Sequence, residues 1–246
     1  MARKFSTGLR QAIFNLKPVV GPSTGIALVN ATKTITHTGN GLAVYRPGDI
    51  ILVAGAGQST NNRYFTVVTV NVTTGNSLTV SETPTEEPAT SNITITLANA
   101  RSLKQLLNFG VCDFYTGTQP LSADLIETGT KLIRITKDGA AFVPGTATNG
   151  IEWEDPAEGT GDDDGYTIMR TKEADTYKGL GIAEGGNTPG WFRYYDNAVK
   201  VGASTTAIRF DGSIGGTGAQ LVALSTLNII HDISSTLQKL QINIKA

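Results

Sequence analysis

Apolar positions recur along this chain in two rhythms. Phe5, Leu9, Ala12, Ile13 and Leu16 fall at helical spacing, so residues 1–17 predict a short amphipathic helix. Pro18, Gly21, Pro22 and Gly25 end any helix there. The rhythm then becomes that of strands. Ile26–Val29 and Ile50–Ala54 are short apolar runs, Tyr64–Val72 is β-branched almost throughout, and Leu78–Val80 and Asn92–Leu97 follow. Between Thr32 and Thr38, threonines alternate with Lys33, Ile35 and His37. Turn chemistry separates these runs at Tyr45–Asp49, Gly55–Asn62, Thr74–Asn76 and the acidic stretch Glu82–Ser91. Short strands with a turn every 8–12 residues or so predict a small β-barrel or β-sandwich over residues 18–98.

A second helical stretch, Asn99–Asn108, places Leu103, Leu106 and Leu107 on one face, with Asn99 or Ser102 available as its cap. Beyond it, strands are predicted at Gly110–Tyr115, Thr130–Thr136, Tyr166–Thr171, Gly190–Asp196, Thr206–Asp211, Ala219–Leu224, Asn228–Ile233 and Leu237–Ile244. Gly117–Ala123 and residues 145–165 predict loops. The fold class expected is all-β, a β-sandwich or jelly-roll-like domain with short N-terminal helices.

Composition sharpens this picture. Of 246 residues, 34 are threonine and 28 glycine, a strand-and-turn composition. A net charge of −1 gives no basic surplus for holding nucleic acid by charge. No apolar run approaches the roughly 18 residues of a membrane span, and the N-terminus has no apolar core of a signal peptide. The single cysteine, Cys112, excludes an intrachain disulfide, and two histidines, His37 and His231, exclude a histidine-rich metal site. Charge is unevenly spread. Residues 1–17 carry four basic groups and no acid, whereas residues 99–246 carry 13 basic and 17 acidic groups. A basic arm on an acidic body suits docking. Arg3, Lys4, Phe5, Leu9, Arg10 and Ile13 are therefore the candidate partner-docking residues.

Candidate chemistry is sparse. Gly21-Pro22-Ser23-Thr24-Gly25 spells G-x-S-x-G, but no strand-to-helix turn is predicted around Ser23. Gly55-Ala56-Gly57 and Gly212–Gly218 are glycine-rich but lie between strands, where a tight hairpin is expected rather than a phosphate loop. Asp162, Asp163 and Asp164 form the densest acidic run without the alternating spacing of a calcium loop. With Trp153 they are the candidate ligand loop, while Trp191, Phe192, Tyr194 and Tyr195 read as a strand filling a core. No catalytic residue, cofactor or metal ligand is assigned.

Some segments have a familiar form. Phe114–Asp124 (Phe-Tyr-Thr-Gly-Thr-Gln-Pro-Leu-Ser-Ala-Asp), followed by Glu127–Thr130 and Leu132–Thr136, resembles a segment of small structural proteins of tailed bacteriophages. Gly190–Arg193 and Arg209–Gly215 fit the same family in the same order, and Leu42–Asp49, Asn61–Val67 and Leu78–Glu82 are similar to a β module of phage virion proteins. The resemblance implies that residues 1–17 and 99–246 form one domain and that residues 18–98 are an insertion. It implies a non-enzymatic virion subunit, assembled in the host cytoplasm, whose partners are copies of itself and capsid, neck or tail proteins. A carbohydrate- or receptor-binding module for a host surface glycan is the alternative expectation, and an envelope- or capsule-degrading hydrolase the next.

Overall fold

A computed structural model describes residues 4–13, 18–99, 101–158, 166–214 and 222–245. The described residues form, in chain order, β1 (Lys4–Phe5), α1 (Thr7–Ile13), β2 (Val19–Ser23), β3 (Ile26–Val29), β4 (Thr34–His37), β5 (Ile50–Ala54), β6 (Tyr64–Val70), β7 (Ser77–Val80), β8 (Ile93–Leu97), α2 (Leu103–Leu107), β9 (Val111–Tyr115), β10 (Lys131–Lys137), β11 (Ala157–Glu158), β12 (Tyr166–Arg170), β13 (Tyr177–Leu180), β14 (Gly186–Asn187), β15 (Trp191–Tyr195), β16 (Arg209–Ser213), β17 (Val222–Leu224), β18 (Ile229–Ile230) and β19 (Ser234–Lys245). The fold is all-β with antiparallel sheets, as the sequence predicts. The chain divides into two compact units. One comprises Met1–Gln11, Leu106–Val143 and Thr148–Ala246; the other comprises Ala12–Gln105 and Pro144–Ala147.

In the second unit, seven strands pair in the order β2-β8-β5-β6-β7-β4-β3. Laid flat, the outer strands would be about 29 Å apart, six spacings of about 4.8 Å. Yet β2 and β3 are joined by Thr24-Gly25 alone, which spans at most about 10 Å. The sheet therefore curls until its two edges meet. Burial alternates along β5, β7 and β8, and the inward positions, among them Ile51, Val53, Phe65, Leu78, Ile93 and Ile95, form one core. Tyr45 is buried in it and donates its hydroxyl hydrogen bond to Ile95 O at 2.7 Å. The strand-forming composition decides this unit: β2, β5, β6 and β8 contain no charged residue.

In the first unit, ten strands form a sheet of order β1-β16-β15-β9-β10-β13-β19-β12-β11, with β17 also paired to β19. Both faces of β9 and β15 are buried. One face is aromatic. Phe210 packs edge-on against Phe5 and Phe192 at 6.0 and 5.9 Å and stacks on Tyr194 at 5.2 Å. Trp153 packs edge-on on Tyr194 and donates from Nε1 to its hydroxyl at 2.9 Å.

The N-terminal stretch differs from its prediction. Lys4–Phe5 is an edge strand paired to β16, and the helix is confined to Thr7–Ile13. Ser6 caps the helix, its Oγ accepting Leu9 N–H at 3.0 Å, and Asp124 accepts Thr7 N–H at 2.7 Å. A Cβ on Gly8 would lie 2.4 Å from Thr206 O, so only glycine allows this approach. Leu9 is fully buried and Phe5 lies on Phe210. Two of the three apolar residues expected to dock a partner, Phe5 and Leu9, thus pack on the chain's own core, because a segment this short holds its helix only by packing. Lys4 donates to Pro120 O at 2.6 Å, and exposed Arg10 donates to Thr7 Oγ1 at 2.9 Å. Ile13 remains largely exposed, and Arg3 lies outside the described residues. The second helix is shorter than expected but carries the predicted cap: Ser102 Oγ accepts Gln105 N–H, and Gln105 Oε1 accepts Ser102 N–H.

The ends of the 18–98 segment are neighbours. Leu97 N–H donates to Pro18 O at 3.1 Å, and Val19 pairs with Thr96. Replacing residues 18–98 by a short Gly-Ser bridge is expected to leave a remainder with a single cooperative thermal transition, followed by circular dichroism. A remainder without one would make the segment part of an indivisible fold.

Candidate functional site

The other face of the large sheet is charged and equally buried. Pairing sets Lys4 opposite Asp211, Asp211 opposite Arg193, Arg193 opposite Asp113, and Asp113 opposite Arg134. Five strands thus carry one rung of alternating charge, and directly opposed residues share a face. Arg193 donates to Asp211 through Nε and a terminal nitrogen at 2.6 and 2.8 Å. Arg134 holds Asp113 in the same two-pronged way at 2.7 Å twice. Next to the rung, Tyr195 faces Arg209 across β15 and β16. Arg193, Arg209, Asp113 and Asp211 are completely buried.

Buried guanidinium groups must have their donors satisfied. A strap formed by residues 116–129, between β9 and β10, supplies the acceptors. Glu127 Oε1 accepts from Arg193 at 2.7 Å and from the Tyr195 hydroxyl at 2.6 Å, and lies 3.6 Å from Arg209. Leu125 O accepts from Arg193 at 3.0 Å, and Ala123 O from Arg209 Nε at 2.6 Å. Asp124 pins the start of α1, and Glu127 also accepts Gly202 N–H at 3.0 Å. Within this cluster the charges of Arg193, Arg209, Asp211 and Glu127 cancel. Burial raises the Glu127 carboxyl, but hydrogen bonds from Tyr195, Gly202 and Arg193 outweigh it and hold it below its ordinary value. Asp211 moves the other way: burial pushes it up, and Arg193 only partly offsets that. Burial also lowers Arg209, with the neighbouring Arg193 charge adding to the effect.

Because the strap's polar backbone turns inward, its apolar side chains Leu121, Leu125 and Ile126 turn outward, beside exposed Val201. These residues lie within or next to the segments of phage-like sequence, yet the candidate docking set does not include them. Single charges inside apolar strands, Asp113 in Val-Cys-Asp-Phe-Tyr and Arg193 in Trp-Phe-Arg-Tyr-Tyr, are the sequence signal for the buried rung. The candidate ligand loop is corrected. Trp153 is buried in the aromatic core rather than presented to solvent, because its indole N–H needs the Tyr194 hydroxyl. Asp162, Asp163 and Asp164 lie outside the described residues, as do residues 215–218 of the second glycine-rich stretch.

Two motifs in the smaller unit acquire partners. The strand pair β3/β4 sets Ile26 opposite His37, so Ser23 Oγ lies 3.2 Å from His37 Nε2, although they are 14 positions apart in sequence. The pair is oriented against nucleophilic catalysis. Gly41 N–H donates to His37 Nδ1 at 3.2 Å, which leaves the neutral ring's proton on Nε2. His37 therefore donates to Ser23, whose oxygen also accepts Gly25 N–H at 3.0 Å. The glycine-rich 55–62 loop does bind an anion, but an internal one. Gly57 N–H and Gln58 N–H donate to the Glu87 carboxylate at 2.9 and 2.7 Å. Burial raises Glu87, while the Ser91, Gln58, Gly57 and Asn61 hydrogen bonds bring it below its ordinary value. Cys112 is fully buried, and burial pushes its thiol well up, which leaves it unreactive. Among the described residues no His, Cys, Asp or Glu cluster is arranged to hold a metal ion, and no helix is long and apolar enough to cross a membrane.

No family model matches the chain, and no curated protein or solved structure matches it.

Two outcomes are expected. First, Glu127→Gln leaves the two arginines with one carboxylate and should cost roughly 3 kcal/mol or more in chemical denaturation. The folded-state value of Glu127 lies below the ordinary 4.5, so its contribution is complete above pH 4.5 and is lost as pH falls through the folded value. Stability of the parent protein should fall below pH 4.5, and less steeply in the variant. Second, a fluorophosphonate probe should leave Ser23 unlabelled by mass spectrometry; stoichiometric labelling would show that Ser23 is activated after all.

Proposed function

We propose that this chain is a non-enzymatic structural subunit of a tailed bacteriophage particle, present in many copies and docked on capsid, neck or tail. The observation that carries this reading is the strap. Residues 116–129 include most of the segment of phage-like sequence. They seal a buried ionic rung and, anchored by it, display Leu121, Leu125 and Ile126 to solvent. Exposed apolar side chains grouped on an ordered surface serve protein contacts. Copies held by such contacts gain strength from number, so each interface can be weak. The carbohydrate-binding alternative draws on aromatic and acidic loop residues; Trp153, Trp191, Phe192, Tyr194 and Tyr195 are all buried, and Asp162, Asp163 and Asp164 lie outside the described residues.

Particles purified from an infected culture by density gradient should contain the chain in a fixed multiple of the copy number of another particle protein, by quantitative mass spectrometry. Recovery only in the soluble, particle-free fraction would reject the reading.

A further inference from the structure

The larger unit carries two exposed apolar patches with rims of opposite charge. The first is on the strap. Leu121 is 88% exposed, Ile126 62% and Val201 61%, with Leu125 beside them. Leu125 N–H donates to Ser122 O, and Gly202 N–H donates to the Glu127 carboxylate, which ties the Val201 segment to the strap. Two exposed cations are close by in the chain: Arg10 on the helix whose start Asp124 pins, and Lys200, which precedes Val201. Two acids also lie on the strap: Asp124 accepts from the Thr7 amide and hydroxyl at 2.7 Å each, and Glu127 is taken up by Arg193, Tyr195 and Gly202.

The second patch surrounds Gly181, just past β13. Leu180 is 55% exposed and Ile233 54%, with Ile182 and Ile230 also out. Gly181 N–H donates to Ile233 O, Asp232 N–H to Gly181 O, and Ile233 N–H to Ile230 O, so these residues form one surface. A Cβ on Gly181 would lie 2.2 Å from Ile230 O, so glycine is what lets the two segments meet. Here the rim is acidic, with Glu184 and Asp232 exposed on either side of His231. Lys178, two residues before Leu180 on β13, packs along Gly139.

Symmetric pairing of either patch with its own copy would set like charges against each other, Arg10 and Lys200 in one case, Glu184 and Asp232 in the other. Pairing the first patch with the second sets apolar on apolar and basic on acidic. Both patches belong to one unit.

We propose that the strap patch of one copy docks on the Gly181 patch of the next, a head-to-tail contact between copies of this chain. The proposal rests on the multi-copy reading above and names the surface that would carry it. Such a contact closes into a ring or continues as a filament, according to the angle between successive copies.

The test is sedimentation velocity of the full chain over rising concentration, with two double variants of exposed residues: Leu121→Ser with Ile126→Ser, and Ile182→Ser with Ile230→Ser. Each alone should associate roughly tenfold more weakly or worse, because apolar burial is removed. Mixed, each still offers one intact patch, so they should form a 1:1 dimer that grows no further. Lys200→Glu and Glu184→Lys should each weaken association and restore it when mixed. Circular dichroism confirms that each variant is folded. Association of the parent chain that neither double variant weakens would overturn this contact while leaving the multi-copy reading in place. Self-association of one double variant at full strength would show symmetric pairing and overturn it equally. A parent chain that stays monomeric throughout overturns the contact, and particle mass spectrometry then decides separately whether the multi-copy reading also falls.

Discussion

The constraint on which the larger unit depends is the burial of Arg193 and Arg209 on one face of a sheet. Two guanidinium groups removed from water have no stable arrangement unless nearly every donor is met and the charge is cancelled. Asp211 on the neighbouring strand, and Glu127 with the Ala123 and Leu125 carbonyls on the strap, meet that demand. The consequence is register. Shifting β15 by one residue would turn Arg193 into the aromatic core and Phe192 onto the ionic rung. Apolar strands alone tolerate slippage. A charge that must meet its partner does not. The N-terminus is recruited by the same logic, since Lys4 extends the rung at the edge and its ammonium reaches the strap at Pro120.

The smaller unit obeys the same rule with the opposite means. Its walls are uncharged, and its buried carboxylates sit where loops can turn amide N–H groups toward them. Glu87 is held by the backbone of Gly57 and Gln58, and Asp49 by Arg46 N–H and by the Arg101 guanidinium. Glu87 also extends the sheet, exchanging two backbone hydrogen bonds with Leu28 at 2.9 Å. The acidic stretch Glu82–Ser91 is therefore partly internal, and it joins the edge of β3 to the glycine-rich loop.

Local patterns were legible in the sequence, and long-range pairings were not. Ile26–Val29 and Ile50–Ala54 are strands over the residues that their apolar runs predict, because composition alone selects them. The cap of the second helix is Ser102, one of the two residues read as available for it. In contrast, β13 is missed, since Tyr177-Lys178-Gly179-Leu180 has weak strand propensity and owes its place to pairing with β10 and β19. Lys4–Phe5 reads as helix because its edge-strand partner lies about two hundred residues away. The charged rung spans five strands from Lys4 to Asp211, so no window of sequence contains it. Gln241 reads as outward by alternation but is buried on β19, a strand whose pairing with β17 slips register between Ala223 and Leu224.

The same interaction explains why apolar side chains can stand in solvent on the strap without collapsing. A loop of this length would ordinarily fold its leucines back toward the body, since exposed apolar area is unfavourable and loops are mobile. Here the inward direction is already claimed by carbonyl and carboxylate groups that the arginines require, at Ala123, Leu125 and Glu127. To bury Leu121 or Ile126, the strap would have to release those acceptors and leave buried cations unpaired, which costs more than the apolar area returns. The ionic rung thus fixes which side of the strap faces water. It also holds the exposed residues in place before any partner arrives, so association loses less conformational entropy than ordering a free loop would. A buried charge network that contributes little net stability can in this way determine the surface by which the molecule meets its neighbours.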